Sequence, residues 1–174
     1  EIEKLRLSTT TSLMTRRDVV VVASVSAVYN LGSPKEYGGA ILDLKEGVRI
    51  GFESVMKMLQ KMFYQRNDID FKRSTYRIKG DTLDIYPGYL DSAFRVQFLG
   101  DKIERISHLD PFTGDTVPTP QTIQIYPAKH YITPEQRLKP AISQIQEDLE
   151  LRVKELRVQN KLLEAQRLEQ RTNY

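Results

Sequence analysis

From Thr75 onward, apolar and polar residues alternate with a period of two. Tyr76, Ile78, Leu83 and Ile85 fall on one parity, and Arg77, Lys79, Thr82 and Asp84 on the other, either side of Gly80-Asp81. Alternation flanking a two-residue Gly-Asp loop predicts a β-hairpin, because glycine supplies the positive φ that so tight a loop demands. The pattern returns around Gly100-Asp101, so the region reads as a four-strand meander at about 75–80, 82–87, 93–99 and 102–107. One face of this sheet is apolar and is expected to be buried; the other carries a basic stripe and is expected to stay wet. Upstream, Phe52, Val55, Met56, Leu59, Met62 and Phe63 recur at helical spacing, which predicts an amphipathic helix that covers the apolar face. Looser alternation predicts a strand from Ala40 to Lys45 and a last one from Thr122 to Tyr126. Asp110 to Gly114 reads as a turn, and Pro118 and Pro120 delimit a loop.

Outside this region the pattern changes. Leu5, Leu7, Leu13 and Met14 among polar residues suggest a helix within residues 1–17. The β-branched run Asp18 to Ala23 predicts a strand buried on both faces, whose sheet neighbours lie outside the chain. Ser24 to Tyr29 would then follow the carboxyl end of that strand, where α/β proteins place ligand-contacting loops. Asn30 to Pro34 and Gly38-Gly39 are turn chemistry and set a domain boundary. Thr133 as N-cap, Pro134 at the first helical position and Gln136 as the reciprocal partner form a capping box. Pro140 is expected to kink or restart the helix that follows. Beyond it, Ile142, Ile145, Leu149, Val153 and Leu156 form an apolar stripe that ends near Asn160. A second stripe, Leu162, Leu163, Ala165 and Leu168, predicts an antiparallel helix pair, with a two-stranded coiled coil as the rival arrangement. The fold class expected is α+β: a small antiparallel meander with a packed helix, flanked by pieces of an α/β core and by C-terminal helices. The expected division is 1–39, 40–132 and 133–174.

Composition narrows the function classes. Lys and Arg number 26 against 23 Asp and Glu, a net charge of +3. A balance so even is weak support for nucleic-acid binding. There is no cysteine, which excludes disulfides, thiolate metal sites and a cysteine nucleophile. No apolar run approaches the ~18 residues of a membrane span. The cytoplasm is the expected location, and a chain without an initial Met that ends inside a helical pattern reads as a piece of a longer protein.

Catalytic motifs are missing: there is no phosphate-binding G-x-x-x-x-G-K-[ST] loop, no G-x-G-x-x-G and no H-E-x-x-H. His108 and His130 have no ligand-spaced partner. Asp68, Asp70, Asp81, Asp84 and Asp101 are expected at turns or on outward strand positions, as turn formers rather than as an acid–base pair. What remains is the basic stripe of Arg77, Lys79 and Arg95, with Arg66 just before the sheet. In a hairpin with a two-residue loop Arg77 lies opposite Asp84, so a cross-strand ion pair accounts for it as readily as a docking role does. Arg66, close to Asp68 and Asp70, can likewise satisfy a local turn. The docking reading rests on the guanidinium fork, which matches carboxylates in bidentate fashion and is favoured at interface hot spots. A nucleic-acid surface would need exposed aromatics for stacking; Tyr86 and Tyr89 are available, but Asp84 and Asp91 lie among them.

The segments TRRDVVVVASVSAVYNLGSPKEY, YQRNDIDF, RIKGDTLDIYP, FRVQFLGDKIERI and LLEAQRLEQRT, in this order, resemble the UvrB family of bacterial nucleotide-excision repair. The resemblance implies a helicase-like ATPase parent that works with UvrA, UvrC and DNA. It makes residues 40–132 an inserted UvrA-binding domain between the end of a helicase core segment, 1–39, and returning helices, 133–174. ATP and Mg would serve the parent through motifs outside this chain, so no cofactor and no catalysis are expected of the fragment. The family's UvrA-facing residues would correspond to Arg66, Arg77, Lys79, Arg95 and Gln97. Lys79 stands where the family usually has Arg, and Gln97 where it usually has Glu. Ser24 and Ser26 would lie near the DNA path. The alternatives are a direct nucleic-acid-binding module and the UvrA-binding module of a transcription-repair coupling factor, which shares the G-D-x-x-D-I-Y-P hairpin.

Overall fold

A computed structural model of the chain describes residues 1–29, 34–118, 121–130 and 135–174. The turn expected over residues 30–33, the loop edge at Pro120 and the cap through Thr133 and Pro134 lie outside the described residues. The chain divides into two compact units, Glu1–Ile132 and Thr133–Tyr174.

In the first unit the predicted meander is present. Strands β3 (Thr75–Lys79), β4 (Thr82–Tyr86), β5 (Ala93–Leu99) and β6 (Lys102–Leu109) pair antiparallel in sequence order. Both Gly-Asp loops close two-residue turns, with φ +58° at Gly80 and +62° at Gly100. Two short edges extend the sheet beyond the prediction. Strand β2 (Gln65–Arg66) runs parallel to β3, and β7 (Thr116–Pro118) pairs with β6. Proline ends β7 at the outer edge, where no neighbour requires its missing amide. Strand β1 (Leu42–Lys45) pairs with β8 (Thr122–Ile125) in a separate two-stranded sheet. Glu46 ties this sheet to the first, its Oε1 accepting the Ile106 amide at 2.8 Å.

Helix α3 (Phe52–Lys61) lies against the apolar face, as its stripe requires. Val55, Leu59 and Met62 join Tyr76, Leu83, Ile85, Val96, Phe98, Ile103 and Ile106 in one core, to which the small sheet adds Leu42, Leu44, Ile123 and Ile125. The helix stops at Phe63, which sits at φ +66°. There the Tyr64 amide bonds to the Leu59 carbonyl and the Phe63 amide to that of Gln60, a Schellman ending.

Helix α1 (Ile2–Thr15) agrees with the sequence; the strand after it does not. Residues 18–23 form no ladder, and Val20 and Val22 are 90% and 96% exposed. A β-branched run becomes a buried strand only when neighbours accept its amides, and no described strand pairs with it. Gly38-Gly39, expected as a turn, instead ends the short helix α2 (Pro34–Gly39).

Helix α1 docks by Leu7, which enters a cluster with Tyr37, Tyr89 and Tyr126. Beside it Thr10 Oγ1 meets His130 Nε2 at 2.9 Å, and the imidazole stacks on Tyr37. Burial holds the His130 pKa below its ordinary value of 6.5. A depressed histidine pKa means that the unfolded chain binds more protons in acid. The contribution of His130 is therefore complete above pH 6.5 and fades as pH falls through the folded pKa. Scanning calorimetry between pH 7.5 and 5 is expected to show a melting temperature that declines on acidification, and less steeply in His130→Gln. Equal slopes in the two proteins would remove His130 from the acid response.

The second unit is an antiparallel helix pair, α4 (Glu135–Val158) and α5 (Leu162–Thr172), closed by Leu149, Val153, Leu156, Ala165 and Leu168. Helix α4 runs through Pro140 without a break. It ends at Asn160 (φ +59°), with the Lys161 amide on the Leu156 carbonyl and the Asn160 amide on that of Arg157. Asparagine is the commonest non-glycine residue in that left-handed position, which is why it marks the helix end.

Candidate protein-docking face

Among the described residues no helix covers the second face of the sheet of β2 to β7, and strand register arranges side chains there in rows. One row joins Arg77, Asp84, Arg95 and Ser107; the next joins Lys79, Thr82, Gln97 and Arg105. The first row departs from the sequence expectation. Asp84, placed outward by parity, is only 1% exposed. Arg95 grips it with both prongs, Nε to Oδ1 at 2.7 Å and Nη2 to Oδ2 at 2.9 Å. Arg77 adds Nε to Oδ2 at 2.9 Å. Two cations on one carboxylate, each a charge-assisted hydrogen bond, offset the cost of burying it. The bonds to Asp84 hold the Arg95 guanidinium above its ordinary pKa.

This array does more than satisfy Asp84. Arg77 keeps both terminal nitrogens, and Arg95 keeps Nη1, with no protein partner among the described residues. The Arg77 guanidinium lies 4.2 Å from the centre of the Phe71 ring, so it is held by an aromatic face as well as by the Asp84 carboxylate. Phe71 in turn packs on Tyr86, within a small cluster with Ala93 and Leu109. The row thus presents ordered donors and one uncompensated positive charge, without the entropy cost of fixing two free arginines at the moment of binding.

The other expected site residues are exposed or half-buried. Arg66 pairs with Asp68, Nη2 to Oδ2 at 2.8 Å, and remains open to solvent. Lys79 is exposed and Gln97 is half-buried. Ser24 and Ser26 bond to each other at 2.6 Å, away from these rows in the sequence and exposed. Sequence reasoning missed Phe71, Arg105 and the burial of Asp84. Tyr86 and Tyr89, the aromatics proposed for base stacking, are about 5% exposed or less and cannot serve.

Residues 42–131 match the family model described as the UvrB interaction domain, and residues 136–174 match the UvrB third helical domain. The chain belongs to the UvrB family. It is 50% identical over its whole length to the UvrABC system protein B of Enterococcus faecalis and to that of Dehalococcoides mccartyi, and 51% identical to that of Clostridium botulinum. In each case it spans 26% of the relative's length. Both rows fall inside the segment that matches the UvrB interaction domain, and the helix pair coincides with the third helical domain.

The sequence has no phosphate loop, and among the described residues no three acidic or histidine side chains are placed to hold a metal ion. No helix among the described residues is long and apolar enough to cross a membrane.

Proposed function

We propose that residues 42–131 dock this UvrB chain onto UvrA during nucleotide-excision repair, and that the segment is not itself catalytic. The observation that carries this reading is the pair of guanidinium groups fixed on buried Asp84 with donors still free. Arg66, Lys79 and Gln97 extend the contact, and Arg105 adds a further cation to their row. Ser24 and Ser26 remain assigned to the DNA-proximal part of the longer protein. ATP and Mg chemistry, contact with UvrC and DNA, and a cytoplasmic setting belong to that protein as a whole.

The test uses the exposed members of the face, which carry little of the fold. Lys79→Glu and Arg66→Glu together are expected to weaken UvrA binding at least tenfold by isothermal calorimetry, about 1.4 kcal/mol, with the thermal midpoint unchanged. Full affinity in the double variant would refute docking through this face.

A further inference from the structure

In the loops that join the strands of the larger sheet, two large apolar side chains are almost wholly exposed: Ile69 at 98% and Phe112 at 91%. Their backbones are not loose. Asn67 Oδ1 accepts the amides of Ile69 at 3.2 Å and Asp70 at 2.9 Å. Asp110 Oδ1 accepts those of Phe112 at 2.8 Å and Thr113 at 3.1 Å. Each apolar residue is thus the third residue of an Asx turn, and each turn is secured further. Asp68 Oδ1 takes the Ile78 amide at 2.9 Å, and Asp110 exchanges backbone bonds with Gly114 and Asp115, both at 2.9 Å.

The two turns stand at opposite edges of the sheet that carries the guanidinium row. The loop with Ile69 links β2 to β3 and lays Phe71 against Arg77; the turn with Phe112 links β6 to β7. Four strand spacings separate β3 from β7, roughly 19 Å. A standard interface of about 800 Å² per partner is wide enough to include both. Interfaces of that kind combine a few apolar or aromatic anchors, seated in pockets, with charged groups that set orientation.

We infer that Ile69 and Phe112 are paired apolar anchors that seat the docking partner on either side of the Arg77–Asp84–Arg95 row. This rests on the docking reading above and specifies the partner's chemistry: an acidic strip, to meet the free guanidinium donors, flanked by two apolar pockets. The rigid turns explain how single exposed side chains can contribute affinity, since their backbones need no ordering on contact.

The test is calorimetric titration of UvrA with Ile69→Ser, Phe112→Ser and the double variant, beside the Lys79→Glu/Arg66→Glu protein. Each serine variant is expected to bind about tenfold more weakly, and the double variant more weakly still. Their melting curves should match the parent, because neither side chain is buried. If the serine variants bind as the parent does while the charge variants are weakened, the anchors are refuted and docking through the row stands. If neither set changes affinity, the docking reading fails and the anchors with it.

Discussion

Replacing Asp84 with alanine is expected to lower the unfolding free energy of the first unit by about 3 kcal/mol, the range found when one partner of a buried ion pair is removed. It should also reduce UvrA affinity. The carboxylate is 1% exposed, while the side chains of Arg77 and Arg95 are 17% and 25% exposed. Without Asp84 two half-buried guanidinium groups face each other across the middle of the sheet with no countercharge. Their repulsion would drive them toward solvent and undo the arrangement that makes them useful donors. Asp84→Asn keeps the shape and loses the charge, so it should fall between the parent and Asp84→Ala in both measurements. Urea denaturation of the three proteins gives the comparison. A loss below about 1 kcal/mol in Asp84→Ala would place the row among exposed ion pairs of little consequence.

The same geometry shows why charge reversal of Arg77 and Arg95 is a poor probe of docking. Two glutamates there would surround a buried aspartate with like charge, and lost binding would then report unfolding. Exposed Lys79 and Arg66 separate the two effects.

Some of this was legible in the residues. The Gly80-Asp81 loop fixed the register of its hairpin, so Arg77 opposite Asp84 could be counted out by hand. The period-two and period-3.6 patterns met in one core, Leu59 and Val55 against Leu83 and Ile85, because both stripes had only each other to bury. Asp84 was placed on a wet face because parity reports which side a residue takes. It does not report what neighbours cover it. The pairing of Asp84 with Arg95 depends on register across a six-residue link, which no local signal sets.

The register of β6 was hidden for a sharper reason. Counted from the Gly100-Asp101 loop, Gln97 should meet Glu104. The register slips between Gln97 and Phe98, and Gln97 meets Arg105 instead. One extra residue in a strand reverses the face of every residue beyond it. Here it brings Ile106 into the core and sets Arg105 in the row of Lys79, Thr82 and Gln97. The valine run at 19–22 has the composition of a strand, but strand formation is a property of pairs, and the neighbours expected for it lie outside this chain.

Leu59→Ala separates support of the face from the face itself. Leu59 is fully buried in the last turn of α3, beneath the sheet and on the side away from Arg77 and Arg95. Removing its branched end should cost about 3 kcal/mol, the sum of lost transfer free energy and the cavity left among Leu83, Ile85 and Val96. A domain with ordinary stability of 5–15 kcal/mol survives that loss and stays largely folded at 25 °C. Urea denaturation should therefore show a lower midpoint, while calorimetric affinity for UvrA at 25 °C stays close to that of the parent. Asp84→Ala should lose both. The contrast follows from which side of one sheet each residue occupies: Leu59 holds the strands together from behind, whereas Asp84 also aims the donors in front. If Leu59→Ala lost affinity in proportion to stability while still folded, the order of the docking rows would depend on core packing rather than on the Asp84 ion pairs.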